Sequence, residues 1–230
     1  MNSAELRRLL NNKSPKAILV IILLAGFMLT LPFWLLSTPE QKQRIVAETT
    51  AQQKVESAVG LLDMLPAERE HLQSMLKPST DESLKNFEEN VWLKDLKTLM
   101  QGEVPDPEEA DAIARWVYLY SMRHDLPPEL ILAVIAVESQ FDRFAISNVG
   151  ARGLMQVMPF WKEELGSKED NLFNIETNIR YGSAILRLYL DRYGDLVRAL
   201  AAYNGSLGRR TYARKVLTMM KRFKGGSRDI

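Results

Sequence analysis

The stretch from Leu130 to Pro159, LILAVIAVESQFDRFAISNVGARGLMQVMP, puts a carboxylate where ionisation is costly. Glu138 lies seven residues beyond Ile131, four beyond Val134 and three beyond Ile135, on the same stripe of a helix that is apolar almost all round. That stripe should face a core, so burial should raise the carboxyl's pKa and keep it protonated near neutral pH. A protonated glutamate lining a cleft is what a glycosidic oxygen requires of a general acid.

Ordinary glycosidases use two carboxylates, one as acid and one as nucleophile or base. Asp125, Asp142, Glu163 and Glu164 are the candidates for a second, but none sits on an apolar stripe, and each reads as a solvated charge or a cap. His71 and His124 lack the partner spacing of a metal site or a triad and read as surface residues. Trp161, Met155 and Met158 have the character of packing or groove residues. No metal or other cofactor is expected. Gln156, Tyr203 and Asn204 offer donors, acceptors and a ring face suited to sugar hydroxyls and N-acetyl groups.

Several helices must position these groups. Gly102 to Pro107 is a breaker cluster, and Asp106 followed by Pro107, Glu108 and Glu109 is a good helix start. The helix it opens carries Ile113, Trp116, Val117 and Tyr120 on one face and should end near His124-Asp125. Leu126-Pro127-Pro128 turns into the Glu138 helix, and a short helix is predicted from about Pro159. Ile175 to Tyr193 reads as a helix stopped by Gly194, Asp195 caps the next one, and Asn204-Gly205 ends it. Arg209 to Phe223 reads as a closing basic amphipathic helix, with attraction to anionic lipid or acidic cell-wall material as a lesser alternative to a solvated face. No stretch alternates with period two, so the domain is predicted to be mainly α.

Residues from about Asp111 to Met220 resemble the catalytic domain of the family 1 lytic transglycosylases, whose fold is lysozyme-like, of the goose type. Glu138-Ser139 matches the family's Glu-Ser motif and Ser147 a serine that orients substrate or glutamate. Gly153-Leu154-Met155-Gln156 with Met158-Pro159 matches a block lining the glycan groove, and Ala202-Tyr203-Asn204 a block beside the glutamate. Tyr212 aligns with a tyrosine that approaches the catalytic carboxyl, although Asn204 is followed here by Gly205-Ser206 where many members read Ala-Gly or Gly-Gly. The resemblance implies cleavage of peptidoglycan strands by Glu138 as sole acid/base, with Ser139, Ser147, Gly153, Met155, Gln156, Met158, Tyr203, Asn204 and Tyr212 meeting substrate. The product would carry a 1,6-anhydromuramic end. The alternatives are a muramidase that hydrolyses the same bond and a non-catalytic glycan-binding scaffold of an envelope complex.

The 230 residues, 46% hydrophobic and 26% charged with a net charge of +1, give no case for nucleic-acid binding. The chain has no cysteine, which excludes disulfides and thiolate metal sites. Ala17 to Leu36 is an uncharged apolar run long enough to cross a bilayer as a helix. Arg7, Arg8, Lys13 and Lys16 precede it and predict a cytoplasmic N-terminus. A cleaved signal peptide is the competing reading, but the run is long for one and no small-x-small site follows. The expected organisation is a cytoplasmic tail and transmembrane anchor over 1–38, a helical stalk over 39–104 and a catalytic domain over 105–230. The partners expected are glycan strands and the lipid bilayer, with no nucleic acid. The expected location is the bacterial inner membrane as a single-pass protein, with the catalytic domain on the periplasmic side.

Overall fold

Asp106 opens the first long helix as its sequence suggests: its side chain accepts the Glu108 N–H at 2.9 Å, Pro107 follows at the first helical position, and Arg123 lies in the last turn. A computed structural model describes residues 64–79 and 91–226. Over these residues the helices are α1 (Pro66–Met75), α2 (Val91–Leu99), α3 (Pro107–Arg123) and α4 (Pro128–Glu138). They are followed by α5 (Phe160–Glu164), α6 (Ile175–Tyr193), α7 (Leu196–Tyr203) and α8 (Thr211–Gly226). The only β structure among the described residues is a pair of isolated bridges, Ile146 with Arg152 and Arg152 with Val157.

α4 is the central helix. Leu130 to Ile135 are all buried, as expected of a helix without a polar face. α8 packs along it, α6 packs on α3 and α7, α2 lies on α3, and α1 lies on α6. α6 begins at Asn174, whose side chain accepts the Thr177 N–H at 3.1 Å, and stops at Gly194, in the left-handed region at φ 62°. Asp195 then caps α7 through the Arg198 N–H at 2.8 Å.

The described parts of the expected stalk are not separate from the domain that follows. Leu72, Met75 and Leu76 of the α1 region and Leu96 and Met100 of the α2 region belong to the same core cluster as α3, α4 and α6. Arg192 of α6 holds Glu68 at 2.7 and 2.9 Å. Arg123 donates to the Lys77 and Ser74 carbonyls, and the buried Arg180 donates to the Leu76 carbonyl. The breaker at 102–107 therefore turns the chain without dividing the core. Among the described residues no helix is long and apolar enough to cross a membrane. The apolar run 17–36 and, within the expected stalk, residues 39–63 and 80–90 lie outside the described residues.

His124, expected at the surface, is only 2% exposed. Its Nδ1 meets Ser183 Oγ at 2.9 Å. Burial, reinforced by the Arg123 charge, pulls its pKa down to about 4 and keeps the ring neutral. Ser183 is 59 residues away in the chain, so no local spacing could have announced the pair.

Candidate active site

Glu138 ends α4, and the chain leaves that helix through two non-glycine residues at positive φ, Gln140 at 53° and Phe141 at 65°. Phe141 is buried and anchors the turn, which offsets the cost of that backbone. The Glu138 side chain is partly exposed, but protein encloses its carboxyl closely. Burial pushes the pKa up from the ordinary 4.5 to about 7, against the opposing effect of a hydrogen bond from Tyr212. That bond runs from the Tyr212 hydroxyl to Glu138 Oε1 at 2.7 Å. Tyr212 reaches it from the first turn of α8, the helix that flanks α4.

Two phenols belong to this environment. Burial and the nearby Glu138 charge push Tyr203 and Tyr212 well above the usual phenol range, so both remain hydrogen-bond donors. Tyr203 gives its hydroxyl proton to the protein itself. It donates to the Met155 carbonyl at 2.7 Å, which ties the end of α7 to the Gly-Leu-Met-Gln loop. Asn204, half-buried, is the α7 C-cap, its backbone N–H donating to the Leu200 carbonyl at 3.1 Å.

The loop itself divides the expected contact residues. Met155 is fully buried, and a Cβ built on Gly182 of α6 would collide with its side chain. It is therefore a core residue rather than a substrate contact. Gly153 sits at φ 74° where a Cβ would meet Asn178 Nδ2 and the Leu172 carbonyl at 2.4 Å, so only glycine fits. Ser139 is buried and donates its hydroxyl inward, to the Leu154 carbonyl at 2.8 Å. Ser147 is half-buried and its Oγ accepts the Ala151 N–H at 3.0 Å, a bond within the loop. Gln156, at φ 50°, donates from Nε2 to the Ala145 and Gly153 carbonyls at 3.1 and 3.0 Å. Met158 is half-buried. Three of the expected contacts, Ser139, Gly153 and Met155, thus hold the loop's shape from inside, while Gln156 clamps it from its outer side.

Asn178 is the residue that sequence reasoning missed. It is 1% exposed on α6. Its Oδ1 accepts the Met155 N–H at 2.7 Å, and Nδ2 donates to the Arg152 and Leu172 carbonyls at 2.8 and 2.7 Å. One side chain thereby bonds two backbone groups of the loop and one of the segment that leads into α6. The available signal was an asparagine on the buried side of an amphipathic helix, a position that demands partners. Asn178→Ala is expected to cost roughly 2–4 kcal/mol, as the Met155 N–H and the Leu172 carbonyl lose their bonds while the Arg152 carbonyl keeps that from the Val157 N–H. A denaturant midpoint within error of the parent's would count against this role.

Asp125, Asp142, Glu163 and Glu164 are all exposed. Among the described residues no group of three or more His, Cys, Asp or Glu could hold a metal ion.

Residues 119–220 match the transglycosylase SLT domain model, which spans Glu138, the loop, Tyr203 and Tyr212. By that match the segment is similar to a transglycosylase SLT domain. A transglycosylase of Enterobacteria phage PRD1 is 40% identical over 95 residues, 41% of this chain and 35% of that protein. Membrane-bound lytic murein transglycosylase F of Desulfosudis oleivorans is 40% identical over 93 residues, 37% of this chain and 20% of its own length. Membrane-bound lytic murein transglycosylase C of Histophilus somni is 34% identical over 103 residues, 37% of this chain and 28% of the relative. The chain therefore spans about a third or less of the length of these relatives.

Proposed function

We propose that the chain is a membrane-anchored lytic transglycosylase that cleaves the β-1,4 bond between N-acetylmuramic acid and N-acetylglucosamine in peptidoglycan, with Glu138 as its single acid/base. The observation that carries the reading is a carboxyl held near neutral pKa by burial and touched by one phenolic donor. Because Tyr212 donates to Oε1, the acid proton belongs on Oε2. Glu138 gives that proton to the glycosidic oxygen as its bond to muramic C1 breaks, freeing the 4-hydroxyl of the departing glucosamine. The acetamido carbonyl of the muramic residue stabilises the cation-like C1. Glu138, now ionised and stabilised by the Tyr212 hydrogen bond, takes the proton from the C6 hydroxyl. The C6 oxygen closes on C1, forming the anhydro ring and restoring the acid without consuming water.

The anchor in this proposal is the apolar run 17–36 with its cationic flank, and two of the relatives above are membrane-bound transglycosylases. The catalytic domain then faces the periplasm of a bacterial inner membrane. Digestion of purified sacculi, read by mass spectrometry, tests the chemistry. Fragments one water lighter than their hydrolytic counterparts are expected, and fragments carrying that water would make the enzyme a muramidase instead.

Tyr212 offers a second test. Its bond lowers the carboxyl's pKa, so Tyr212→Phe should move the alkaline limb of the pH–rate profile above the parent's, which falls near pH 7. The rate at the optimum should drop roughly tenfold, through loss of a hydrogen bond to the anion. An alkaline limb that stays in place would remove Tyr212 from the mechanism.

A further inference from the structure

Seven cations and no acid lie between Arg209 and Lys224, in a chain whose net charge is only +1. Burial sorts most of them onto one side of α8. Tyr212, Val216, Met220 and Phe223 are buried against the domain, whereas Arg214, Lys215, Lys221 and Arg222 are exposed together on the opposite flank. Arg222 pairs with Glu103 at 3.0 Å, and no carboxylate partners Arg214, Lys215 or Lys221 among the described residues. Arg209 and Arg210 crowd the start of the helix, where no acid in the first turn offsets the positive end of its dipole. Like charges so placed repel one another, and an external anion relieves them.

The cations border an apolar groove of about 630 Å³ between α8 and α4, floored by Ala136, Val137 and Met219. On both helices this face looks away from the catalytic pair. Counting about 100° per residue, Ala136, Val137 and Gln140 centre about 150° from Glu138 around α4. The four exposed cations centre about 120° from Tyr212 around α8. A glycan at Glu138 and a partner on this face therefore do not compete.

A surface of anionic headgroups over an acyl interior answers both features, the cationic rim and the apolar floor, as it does for amphipathic helices lying in an interface. Residues 37–63 alone separate the proposed anchor from the described domain, which keeps the bilayer at high effective concentration. We propose that the cationic face of α8 lies on the anionic leaflet of the membrane that anchors the chain. Arg214, Lys215 and Lys221 meet lipid phosphates there, and the α4–α8 groove meets the acyl boundary. This rests on the membrane-anchored reading, and it leaves Glu138 on the side turned from the lipid.

The chain has no cysteine, so Thr218→Cys places a single fluorophore on the exposed face of α8. The labelled full chain is reconstituted in vesicles of phosphatidylcholine alone or of equimolar phosphatidylcholine and phosphatidylglycerol, each carrying a lipid-borne quencher. Quenching is expected with phosphatidylglycerol and not without it, and it should vanish in 1 M salt, where the Debye length is about 3 Å. Arg214→Gln, Lys215→Gln and Lys221→Gln together should lower the docked-to-free ratio on the order of 100-fold, at about fivefold per cation. The melting temperature and fragment release from sacculi in detergent should not change. Equal quenching in both vesicles, none in either, or quenching kept by the triple variant overturns the assignment. A variant that loses retention on sacculi with its quenching intact gives the cations to the cell wall instead. Flotation of the parent with phosphatidylcholine vesicles in high salt tests the anchor separately. A chain left behind defeats the anchor reading, while quenching by phosphatidylglycerol vesicles still decides the role of α8.

Discussion

Glu138→Gln should lower release of anhydro-ended fragments by at least roughly 10²–10⁴-fold, the usual worth of a positioned acid/base. Glutamine keeps the shape and can still accept the Tyr212 hydroxyl, but it has no proton to lend. The same substitution should stabilise the protein in alkali. With a folded pKa of about 7 against an ordinary 4.5, native Glu138 holds its proton over a range where the unfolded chain has lost it. Stability contributed by this group is therefore present below about pH 4.5 and declines as pH rises towards 7, by up to about 3 kcal/mol. Glutamine escapes that penalty. Denaturant melts should place the variant near the parent at pH 4 and above it at pH 8, while sacculus digestion shows the lost activity. Undiminished fragment release would remove Glu138 from the chemistry, and a variant less stable than the parent at pH 8 would show that the carboxyl is not buried at a cost.

The cost of ionising a buried carboxyl explains why Glu138 stands out in the chain alone. An acid on the stripe of Ile131, Val134 and Ile135 violates the local apolar pattern, and such violations concentrate at working sites. The helices were legible for a related reason, since Asp106, Asn174, Gly194 and Asp195 act on neighbours two to four residues away. The loop from Ser139 to Val157 was not. Which side chains face in is set there by left-handed backbone at Gln140, Phe141, Gly153 and Gln156 and by bonds to Asn178, and neither has a period. A match to a family block therefore groups the inward residues Ser139 and Met155 with others of the loop that are less buried. His124 failed similarly, because burial and Ser183 reach it from α6.

The same long-range contacts dictate what truncation will do. A fragment starting at residue 105 keeps the whole SLT match, 119–220, yet should lose its cooperative fold. It lacks Leu72, Met75, Leu76, Leu96 and Met100, each no more than 8% exposed. At about 1.5–3 kcal/mol per buried side chain, their removal forfeits roughly 7–15 kcal/mol, as much as a typical domain's entire stability. The loss is also polar. Arg180, only 3% exposed, would keep Glu176 and Asp170 but lose the Leu76 carbonyl, and Arg192 would lose Glu68. A buried guanidinium deprived of a partner carries a desolvation cost of its own. Residues 40–230 should therefore be soluble and melt in one transition, whereas residues 105–230 should aggregate or show helical signal without fixed aromatic ellipticity. A 105–230 fragment that melts cooperatively within about 2 kcal/mol of the longer one would mean that α1 and α2 merely rest on a self-sufficient domain.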